Sequence, residues 1–587
     1  MLQIWFGRYG GMRSHVRKMP ITTFKAAVAL LALLAVRFGF ELPWPALDVA
    51  LVVIGFAYAV LLMLPSKDAS FLEVLSMDRW TTFFTGVFAL LTALLLLLAA
   101  LGTIPVSSLG SLVFSVSVGY LSLIGFRLFL SHLGSWVINT FPPPAILAVT
   151  LGIVIIIGTI LLSMPGATTS PIGFLDAFFT STSATCVTGL IVLDTGGAFT
   201  TFGQVIILTM IQIGGLGLMT FVAFFALFLG HRVGLRENVS FTRVVDSEFV
   251  SDLRKVLASI IGWTLTIEAI GAFILVTIWR TLRPTWTFVK VLWHSIFHSV
   301  SSFCNAGFSL NTTNLEFYQT SPATCFIVGS LIVLGGLGFV VLTVTAARLV
   351  GRIKTGRSER LPLQARFVII LTAVLIGLAL VVFLVLEWNN TLAGMTFTQK
   401  VSNAFLEAVT PRTAGFNTVP TASLSGAVKW LFVILMFVGA SPGGTGGGVK
   451  TSTVGLMFVG FRSLLRHRPQ PELWSRRIPS YDFQRAAVVI VLGVLLFAFS
   501  SVLILYTERA SLASGQRGPL DFIFETMSAF GTVGLSTGVT PELTHLGRLI
   551  IIFTMFLGRI GPATIATATG RWQKLKYRYP EARITIG

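Results

Sequence analysis

The chain has 587 residues, of which 54% are hydrophobic and only 11% are charged. Soluble proteins carry about 25% charged residues, so this composition excludes a soluble globular protein and indicates a membrane protein with many spans. The formal net charge is +19, but the basic residues cluster in short segments beside apolar runs. That arrangement follows the positive-inside rule and argues against nucleic-acid binding.

The first part of the chain, residues 1–135, predicts four transmembrane spans that lack polar turns. Each apolar run approaches the ~20 residues that cross a hydrocarbon core. The predicted spans are 24–41, 46–64, 80–101 and 111–131. Basic residues precede the first span, which places the N-terminus in the cytoplasm. We interpret residues 1–135 as a transmembrane extension that serves packing or assembly.

From residue 144 onward one pattern occurs four times, and such internal repeats define an architecture. The order is an apolar span, a short amphipathic segment, a glycine turn, a second apolar span and a basic loop. The repeats cover residues 144–230, 254–350, 365–465 and 483–570, and a tail of 571–587 follows. The turns align on Gly189, Gly307, Gly415 and Gly534, and ten residues before each stands Phe179, Phe297, Phe405 or Phe524.

Each repeat predicts a half-helix before its glycine that is too short to span the membrane. The negative end of its dipole and the backbone carbonyls after it would face a shared axis. Glycine permits the positive φ that such a loop needs. Four copies around one axis would form a ring of oxygens that replaces the water shell of a cation. The alternative is four ordinary hairpins outside the membrane.

The charge pattern gives a topology for these repeats. The arginine- and lysine-rich linkers after each repeat share the side of the basic N-terminus, so the sequence predicts that both termini are cytoplasmic. The glycine turns then open to the outside. Four acidic residues lie near that face: Asp194, Glu316, Glu387 and Glu508. They could attract cations weakly, but we interpret them as a solvated rim.

With these turns and half-helices, residues 144–570 resemble the Trk/Ktr/HKT superfamily of potassium uptake proteins. The resemblance implies an all-α fold of four M1–pore helix–M2 units in pseudo-fourfold arrangement, as in potassium channels. The four N-terminal helices are an addition to that fold. The implied selectivity filter, where potassium binds, consists of Val187, Thr188, Gly189, Asn305, Ala306, Gly307, Thr413, Ala414, Gly415, Thr532, Val533 and Gly534. Gly189 favours potassium, since plant members that prefer sodium have serine there.

The same resemblance implies partners and a location. It predicts a homodimer in the lipid of the bacterial cell membrane, regulated by cytoplasmic nucleotide-binding subunits. The basic inner loops would meet that regulator or anionic lipid. Potassium is the expected substrate, and we expect no organic cofactor and no enzymatic activity in this chain.

A glycine-rich segment interrupts the second span of the third repeat, which the sequence predicts to be the one broken span. Residues 439–451 contain six glycines and a proline, which cannot stay helical in mid-span. The resemblance implies that this segment is an intramembrane gate. The implied gate residues are Gly439, Gly443, Gly444, Thr445, Gly446, Gly447, Gly448 and Lys450. A nucleotide P-loop is excluded because Val449 separates the glycine from the lysine.

Arg559 completes the predicted gate. It lies inside the last apolar span, where a charge is costly and so indicates function. Facing the cavity, it would contact the glycine-rich segment and raise an electrostatic barrier to cations, the role that the resemblance implies. The alternative is an arginine that reaches the inner interface.

Several other polar residues lie in apolar segments. Glu268 would pair with a basic residue or tie helices together, and Glu407 and Glu525 would fix the half-helices. His294 and His298 are one helical turn apart, but packing explains them better than metal binding. The glycine clusters 214–217 and 335–338 predict close helix packing or hinges.

Two alternative functions stay open from the sequence. One is a coupled potassium or sodium symporter that works by alternating access, although such proteins usually contain inverted twofold repeats and carboxylates at mid-membrane. The other is a membrane enzyme that uses Glu268, His294 and His298. The fourfold repeat and the neutral turns favour conduction.

Overall fold

The computed structural model describes Ser117 and residues 140–141, 143–232, 253–355, 361–467 and 471–561. Apart from Ser117, the predicted N-terminal extension lies outside the described residues, and so does the predicted tail of 571–587. The chain divides into two compact units. The described part of the first unit is chiefly Ile156–Ala177 and Gly196–Ile207, and that of the second is 143–155, 178–195, 208–232, 253–355, 361–467 and 471–561.

The described residues form four successive helix groups. The first group contains α1 (Pro143–Leu162), α2 (Phe174–Thr185) and α3 (Thr201–Arg232). The second contains α4 (Leu253–Leu282), α5 (Phe288–Phe303), α6 (Pro322–Leu337) and α7 (Phe339–Thr355). The third contains α8 (Leu363–Glu387), α9 (Phe397–Val409), α10 (Gly426–Phe437) and α11 (Thr451–Leu465). The fourth contains α12 (Ser480–Thr507), α13 (Pro519–Gly531) and α14 (His545–Ile560). A two-stranded antiparallel hairpin, β1 (Glu472–Leu473) and β2 (Arg476–Arg477), precedes α12.

Helix length and composition separate spanning helices from short ones. Among the described residues, four helices contain an unbroken segment long and apolar enough to cross a membrane: Ala145–Leu162, Ser259–Leu282, Leu363–Glu387 and Ser480–Thr507. The second helix of each group, α2, α5, α9 or α13, has only 12 to 16 residues. At 1.5 Å per residue such a helix covers about 18–24 Å, less than the ~30 Å of a hydrocarbon core.

The sequence predicts a break in only one of the four second spans, that of the third group, and the structure differs from this prediction. Helices α6 and α7 meet at Gly338 with a bend of 104°, and Gly338 has a φ of 89°, a conformation that favours glycine. The second group therefore contains a broken span as well as the third, and the prediction that only the third is broken was wrong. The same four-residue pattern at 214–217 lies inside the continuous helix α3.

The glycines of these clusters allow the second spans to approach the short helices closely. A Cβ on Gly214 would meet the carbonyl oxygen of Thr185, and one on Gly335 would meet that of Phe303. In the fourth group, a Cβ on Gly558 would meet the carbonyl oxygen of Phe530. Each carbonyl belongs to the residue four before the aligned glycine. In the first, second and fourth groups, these glycines therefore pack the second span against the end of its own short helix.

Hydroxyl groups define where many of these helices begin. The N-cap side chain accepts a hydrogen bond from the backbone N–H three residues later, which satisfies one of the free donors at a helix start. The caps are Thr287 for α5, Ser321 for α6, Thr396 for α9, Ser425 for α10 and Thr544 for α14. Thr396 forms a reciprocal capping box with Gln399.

Two carboxylates at the ends of first spans stabilise the starts of second spans. Glu387 is fully buried and accepts the Ser425 N–H at 2.9 Å, at the start of α10. Glu508 is 2% exposed and accepts the Thr544 N–H at 3.1 Å and the Thr544 hydroxyl at 2.6 Å, at the start of α14. The interpretation of these two residues as a solvated rim was wrong, because each lies at the positive end of a helix dipole.

We expect Glu508→Ala to lower the free energy of unfolding by about 1–3 kcal/mol, because it removes the buried carboxylate that accepts the Thr544 N–H and hydroxyl at the start of α14. Thermal unfolding of the purified protein in detergent measures the change. Glu542→Ala is the control: its partner is Arg517 and its side chain is 52% exposed, so it should cost at most about 1 kcal/mol. Equal melting curves for Glu508→Ala and the intact protein would contradict this role.

Each compact unit has its own internal support. In the first unit, the Thr200 hydroxyl donates to the Gly166 carbonyl at 2.7 Å and the Thr169 hydroxyl donates to the Gly197 carbonyl at 3.0 Å. In the second unit, Trp279 stacks on Tyr318 with ring centroids 4.7 Å apart. Phe383 stacks on Phe432 at 5.9 Å.

The aligned phenylalanines anchor the short helices, as the repeat predicts. Phe179, Phe297 and Phe524 are fully buried. Phe405 is half-buried and packs against Gly329, whose Cβ would lie 2.6 Å from its ring.

Candidate functional site

Each short helix is followed by a loop with the same backbone conformation. The residue two before the aligned glycine has a positive φ in all four loops, although none of these residues is glycine: Val187 56°, Asn305 59°, Thr413 78° and Thr532 50°. The glycines also have positive φ: Gly189 90°, Gly307 70°, Gly415 74° and Gly534 94°. Positive φ at a β-branched residue is strained and persists only where the surroundings fix it. Positive φ at matching positions in all four loops makes these loops the candidate functional site.

The four loops form a closed ring. A Cβ built on Gly189 would meet the Ala306 carbonyl oxygen and lie 3.0 Å from the Gly307 Cα. The same relation links Gly307 to Gly415 and Gly415 to Gly534, each with 3.0 Å to the next glycine's Cα. Gly534 returns to the start, since its Cβ would meet the Thr188 carbonyl oxygen and lie 3.0 Å from the Gly189 Cα. All twelve predicted filter residues therefore belong to loops that meet, and only glycine fits where they meet.

The loops are attached to the short helices by a serine that sequence reasoning missed. The residue six before the glycine is Ser183, Ser301 or Ser528 in the first, second and fourth loops. Ser183 Oγ accepts the Gly189 N–H at 3.1 Å, and Ser528 Oγ accepts the Gly534 N–H at 3.0 Å. Ser301 instead donates to the Phe308 carbonyl at 2.8 Å. Because this serine stands at the same distance before the glycine in three of the four repeats, the alignment of the repeats could have identified it.

The third loop departs from this arrangement. Its equivalent position is Val409, which has no hydroxyl. The Ala414 N–H bonds to the Thr410 carbonyl at 3.0 Å, whereas the first, second and fourth loops use the serine carbonyl. The third loop thus lacks the internal anchor of the first and fourth.

Buried acceptors on the short helices hold the residues that follow the glycines. Glu407 accepts the Thr418 N–H at 2.8 Å, and Glu525 accepts the Thr540 hydroxyl. His298 Nε2 lies 2.9 Å from the Ser309 hydroxyl. These contacts agree with the interpretation that Glu407 and Glu525 fix structure, and they extend it from the helices to the loops. Among the residues that the structure describes, no cluster of three or more metal-binding side chains includes His298.

We call the side of the ring that carries the residues after the glycines its outer side. On this side an arginine supports the fourth loop. Arg517 forms a bidentate pair with Glu542 at 2.9 and 2.7 Å and donates to the Thr537 carbonyl at 3.2 Å. The guanidinium lowers the pKa of the Glu542 carboxyl, and the carboxylate raises the pKa of Arg517. The pair therefore stays charged at neutral pH.

The glycine-rich segment, Gly439–Thr451, lies on the inner side of the ring, the side of the residues before the glycines. We call it the glycine loop. Its ends are joined, since the Gly439 N–H donates to the Val449 carbonyl at 2.9 Å and the Thr451 hydroxyl donates to the Gly439 carbonyl at 2.8 Å. The two ends of the loop are therefore held together by hydrogen bonds, and the loop is not a flexible linker.

The glycine loop forms hydrogen bonds with backbone groups at the break in the second span of the second group. The Ser441 N–H donates to the Gly336 carbonyl at 3.0 Å, and the Thr445 N–H donates to the Gly335 carbonyl at 3.2 Å. In return the Phe339 N–H donates to the Gly443 carbonyl at 3.1 Å. Backbone groups freed by a break at membrane depth must find partners within the protein. The break at Gly338 and the glycine loop therefore support each other.

The glycine loop also contacts the ring itself. The Gly447 N–H donates to the Thr532 hydroxyl at 3.0 Å, and the Thr445 hydroxyl donates to the Phe303 carbonyl at 3.3 Å. A Cβ on Gly446 would overlap the Thr413 hydroxyl. Two of the predicted gate residues, Gly446 and Gly447, thus lie directly against Thr413 and Thr532 of the ring.

Three cationic side chains contact the backbone or side chains of the glycine loop, and one of them, Lys450, belongs to the loop itself. Arg559 is 2% exposed and donates to the Thr445 carbonyl and, at 2.5 Å, to the Gly214 carbonyl. Lys450 Nζ donates to the Gly446 carbonyl at 2.7 Å. Arg412 donates to the Thr451 hydroxyl at 3.1 Å. In the described ranges, no carboxylate pairs with Arg412 or Arg559, so both charges remain uncompensated beside the loop.

Glu268 lies among neutral partners. Gln212 Nε2 donates to its carboxylate at 3.1 Å, and the Cys304 thiol lies 3.7 Å from it. The expectation of a basic partner is not met, and the alternative, that Glu268 ties helices together, fits the contacts. It joins α3, α4 and the end of α5 outside the ring. Neither His294 nor His298 lies with it in a three-residue metal-binding cluster, within the part of the chain that the structure describes.

Known proteins resemble this chain over most of its length. A family described as cation transport protein (TrkH) matches residues 129–571. The Ktr system potassium uptake protein B of Bacillus subtilis is 35% identical over 449 residues, which cover 76% of this chain and 97% of that protein. The potassium/sodium uptake protein NtpJ of Enterococcus hirae is 34% identical over 452 residues, with the same coverage.

A solved structure shares the fold. The potassium transporter TrkH from Vibrio parahaemolyticus matches with a TM-score of 0.58 at 14% identity, over 84% of this chain and 99% of that one. The relatives carry names of transport proteins and not of enzymes, as the sequence predicts. From the matched family and the identity to these relatives, we conclude that the chain belongs to the Trk/Ktr/HKT superfamily of membrane cation transport proteins.

Proposed function

We propose that this protein takes up potassium by selective conduction through the ring of four loops. The observation that carries the proposal is the closure of the ring: the carbonyl oxygens of Thr188, Ala306, Ala414 and Val533 each lie where a neighbouring loop's glycine approaches. Backbone oxygens around one axis replace the hydration shell of a cation. Two relatives are named for potassium uptake, which supports the same substrate.

In this proposal each helix group is one M1–pore helix–M2 unit and the four units are arranged in pseudo-fourfold symmetry. The short helices α2, α5, α9 and α13 direct the negative ends of their dipoles toward the ring, which favours a cation there. Both termini face the cytoplasm, so the outer side of the ring is extracellular. Potassium therefore enters from the side of Asn417 and Thr537 and leaves past the glycine loop.

The glycine loop is the proposed gate. It lies on the inner side of the ring, and an ion that leaves the ring between Thr413 and Thr532 would meet Gly446 and Gly447. Arg559 holds the loop and adds a positive charge, which opposes the passage of a cation. Conduction requires that this loop move away from the axis.

The chain is proposed to work as a homodimer in the bacterial cell membrane with a cytoplasmic regulator. One relative is named as a protein of a Ktr system, which is consistent with a membrane subunit that acts with other components. The regulator would be a ring of nucleotide-binding subunits, and binding there would move the glycine loop.

A coupled symporter that carries potassium or sodium is the second candidate. The name of the Enterococcus relative includes both ions, which favours a test of sodium beside potassium. The ring opposes the coupled mechanism, because alternating access needs a site that opens to each side in turn and four loops in mutual contact leave little freedom.

We expect the intact gene to restore growth of a potassium-uptake-deficient bacterium at low external potassium. Initial rates of potassium uptake, measured with and without sodium, then separate conduction from coupling. Conduction predicts a potassium uptake rate that follows the potassium gradient and the membrane potential and does not require sodium. Absence of potassium uptake in cells that contain the protein in the membrane would reject the proposed function.

A further inference from the structure

A segment of the second group reaches across to the third loop of the ring. Asn314 Nδ2 donates to the carbonyl of Gly415 at 3.3 Å. One residue later, the Leu315 N–H donates to the Asn417 carbonyl at 3.1 Å. Asn417 Nδ2 then donates to Glu316 at 3.0 Å. Three hydrogen bonds in succession thus join residues 314–316 to the outer side of the third loop.

The other end of this segment is fixed as well. The Ser309 hydroxyl lies 2.9 Å from His298 on the short helix α5 and 3.4 Å from the Asn314 carbonyl. The Thr312 hydroxyl donates to Asp194, which follows the first loop, at 2.9 Å. Asn314 has a φ of 54°, a left-handed conformation that asparagine tolerates better than most residues. The backbone is therefore set to direct this side chain at Gly415.

The third loop has no serine at this position, whereas Ser301 of the second loop still holds that loop through the Phe308 carbonyl. Val409 stands where Ser183 and Ser528 hold the glycine N–H in the first and fourth loops. Among the described residues, the carbonyl of Gly415 receives a side-chain hydrogen bond and those of Gly189, Gly307 and Gly534 do not. An anchor from the neighbouring group takes the place of the missing internal one.

We propose that Asn314 is a positioning residue that sets ion selectivity by holding the Gly415 carbonyl, an inference that rests on the proposed function. A filter selects potassium over sodium through the number, position and mobility of its carbonyl oxygens. A carbonyl held from outside the ring cannot turn inward to coordinate the smaller sodium ion. Release of this one oxygen lowers the discrimination while the ring stays open to potassium.

The test is Asn314→Gly, which removes the side chain and tolerates the positive φ. Cells that express the full chain are assayed for initial rates of potassium and of sodium uptake. We expect the potassium-to-sodium ratio to fall by about three- to tenfold, the effect of one hydrogen bond, while the maximal rate of potassium uptake changes by less than about twofold. Thr313→Ala is the matched control, since Thr313 is exposed beside Asn314, and it should leave the ratio unchanged.

Asn314→Asp provides the second variant, with the same shape and without the donor. If Asn314→Gly fails to accumulate in the membrane, the ratio for Asn314→Asp decides. A ratio equal to that of the intact protein, with potassium uptake preserved, overturns the role of Asn314 and leaves the proposed function standing. An intact protein that takes up no potassium overturns the proposed function and this inference with it.

Discussion

Replacement of Gly415 by alanine is expected to lower the initial rate of potassium uptake by at least about 30-fold. The new Cβ would overlap the Val533 carbonyl oxygen and lie 3.0 Å from the Gly534 Cα and 3.2 Å from the Gly307 Cα. A left-handed φ of 74° costs about 1–2 kcal/mol for a residue with a side chain, and overpacking costs about 1–3 kcal/mol. Within the ring both costs fall on the proposed conducting conformation, so they raise the barrier to uptake. Each increase of about 1.4 kcal/mol in the activation free energy lowers a rate about tenfold.

Two alanine variants separate this effect from general damage. Gly394 has a similar φ of 76° but no neighbour within 4 Å of a new Cβ, and Gly377 lies in α8 with no such neighbour. Gly394→Ala should lose stability through backbone strain alone, and both variants should transport potassium at nearly the intact rate. Uptake by Gly415→Ala at the rate of these controls, at equal amounts in the membrane, would remove Gly415 from the ion path.

The ring could be predicted from the sequence because its chemistry is periodic. Each loop has a position that admits only glycine where it meets the next loop, and each short helix has a phenylalanine that packs against its surroundings. The positive φ at Val187 and Thr413 could not be predicted, since β-branched residues rarely adopt that conformation. Packing within the ring imposes it.

The break in the second span of the second group shows a different limit. The sequences Gly-Gly-Leu-Gly at 214–217 and 335–338 are identical, yet α3 is continuous and α6 ends at Leu337. The hydrogen-bond partners near each cluster explain why α6 ends there and α3 does not. The glycine loop supplies hydrogen bonds to Gly335, Gly336 and Phe339, so the second group can break there without unsatisfied backbone groups. Local sequence contains no information about that distant loop.

The buried carboxylates were misinterpreted for a similar reason. Glu387 and Glu508 follow apolar spans, where a charged residue usually meets water. Their carboxylate oxygens accept hydrogen bonds from backbone N–H groups at helix starts that lie 38 and 36 residues later in the chain. Only the folded arrangement shows that those helix starts return to the end of the preceding span.

Arg559→Gln is expected to raise the rate of potassium uptake by at least about fivefold. The substitution removes a charge that lies beside the glycine loop and weakens the contacts to the Thr445 and Gly214 carbonyls. A unit charge about 4 Å from an ion opposes it by about 1–4 kcal/mol, depending on the local dielectric. Uptake rates under conditions in which the intact protein is mostly closed measure the change. Arg548→Gln is the control, because Arg548 lies near the start of the same helix and bonds to the Leu543 and Pro541 carbonyls.

Deletion of residues 443–448 tests whether the arginine acts through the glycine loop. The joined ends, Gly439 and Val449, allow the deletion without displacing α10 from α11, and uptake should rise because the segment under the ring is gone. If Arg559 acts by holding the loop, adding Arg559→Gln to the deletion should raise uptake no further, since interacting sites are not additive. A further rise in the double variant would assign the barrier to the charge itself. An unchanged rate in the deletion alone would reject the loop as the gate.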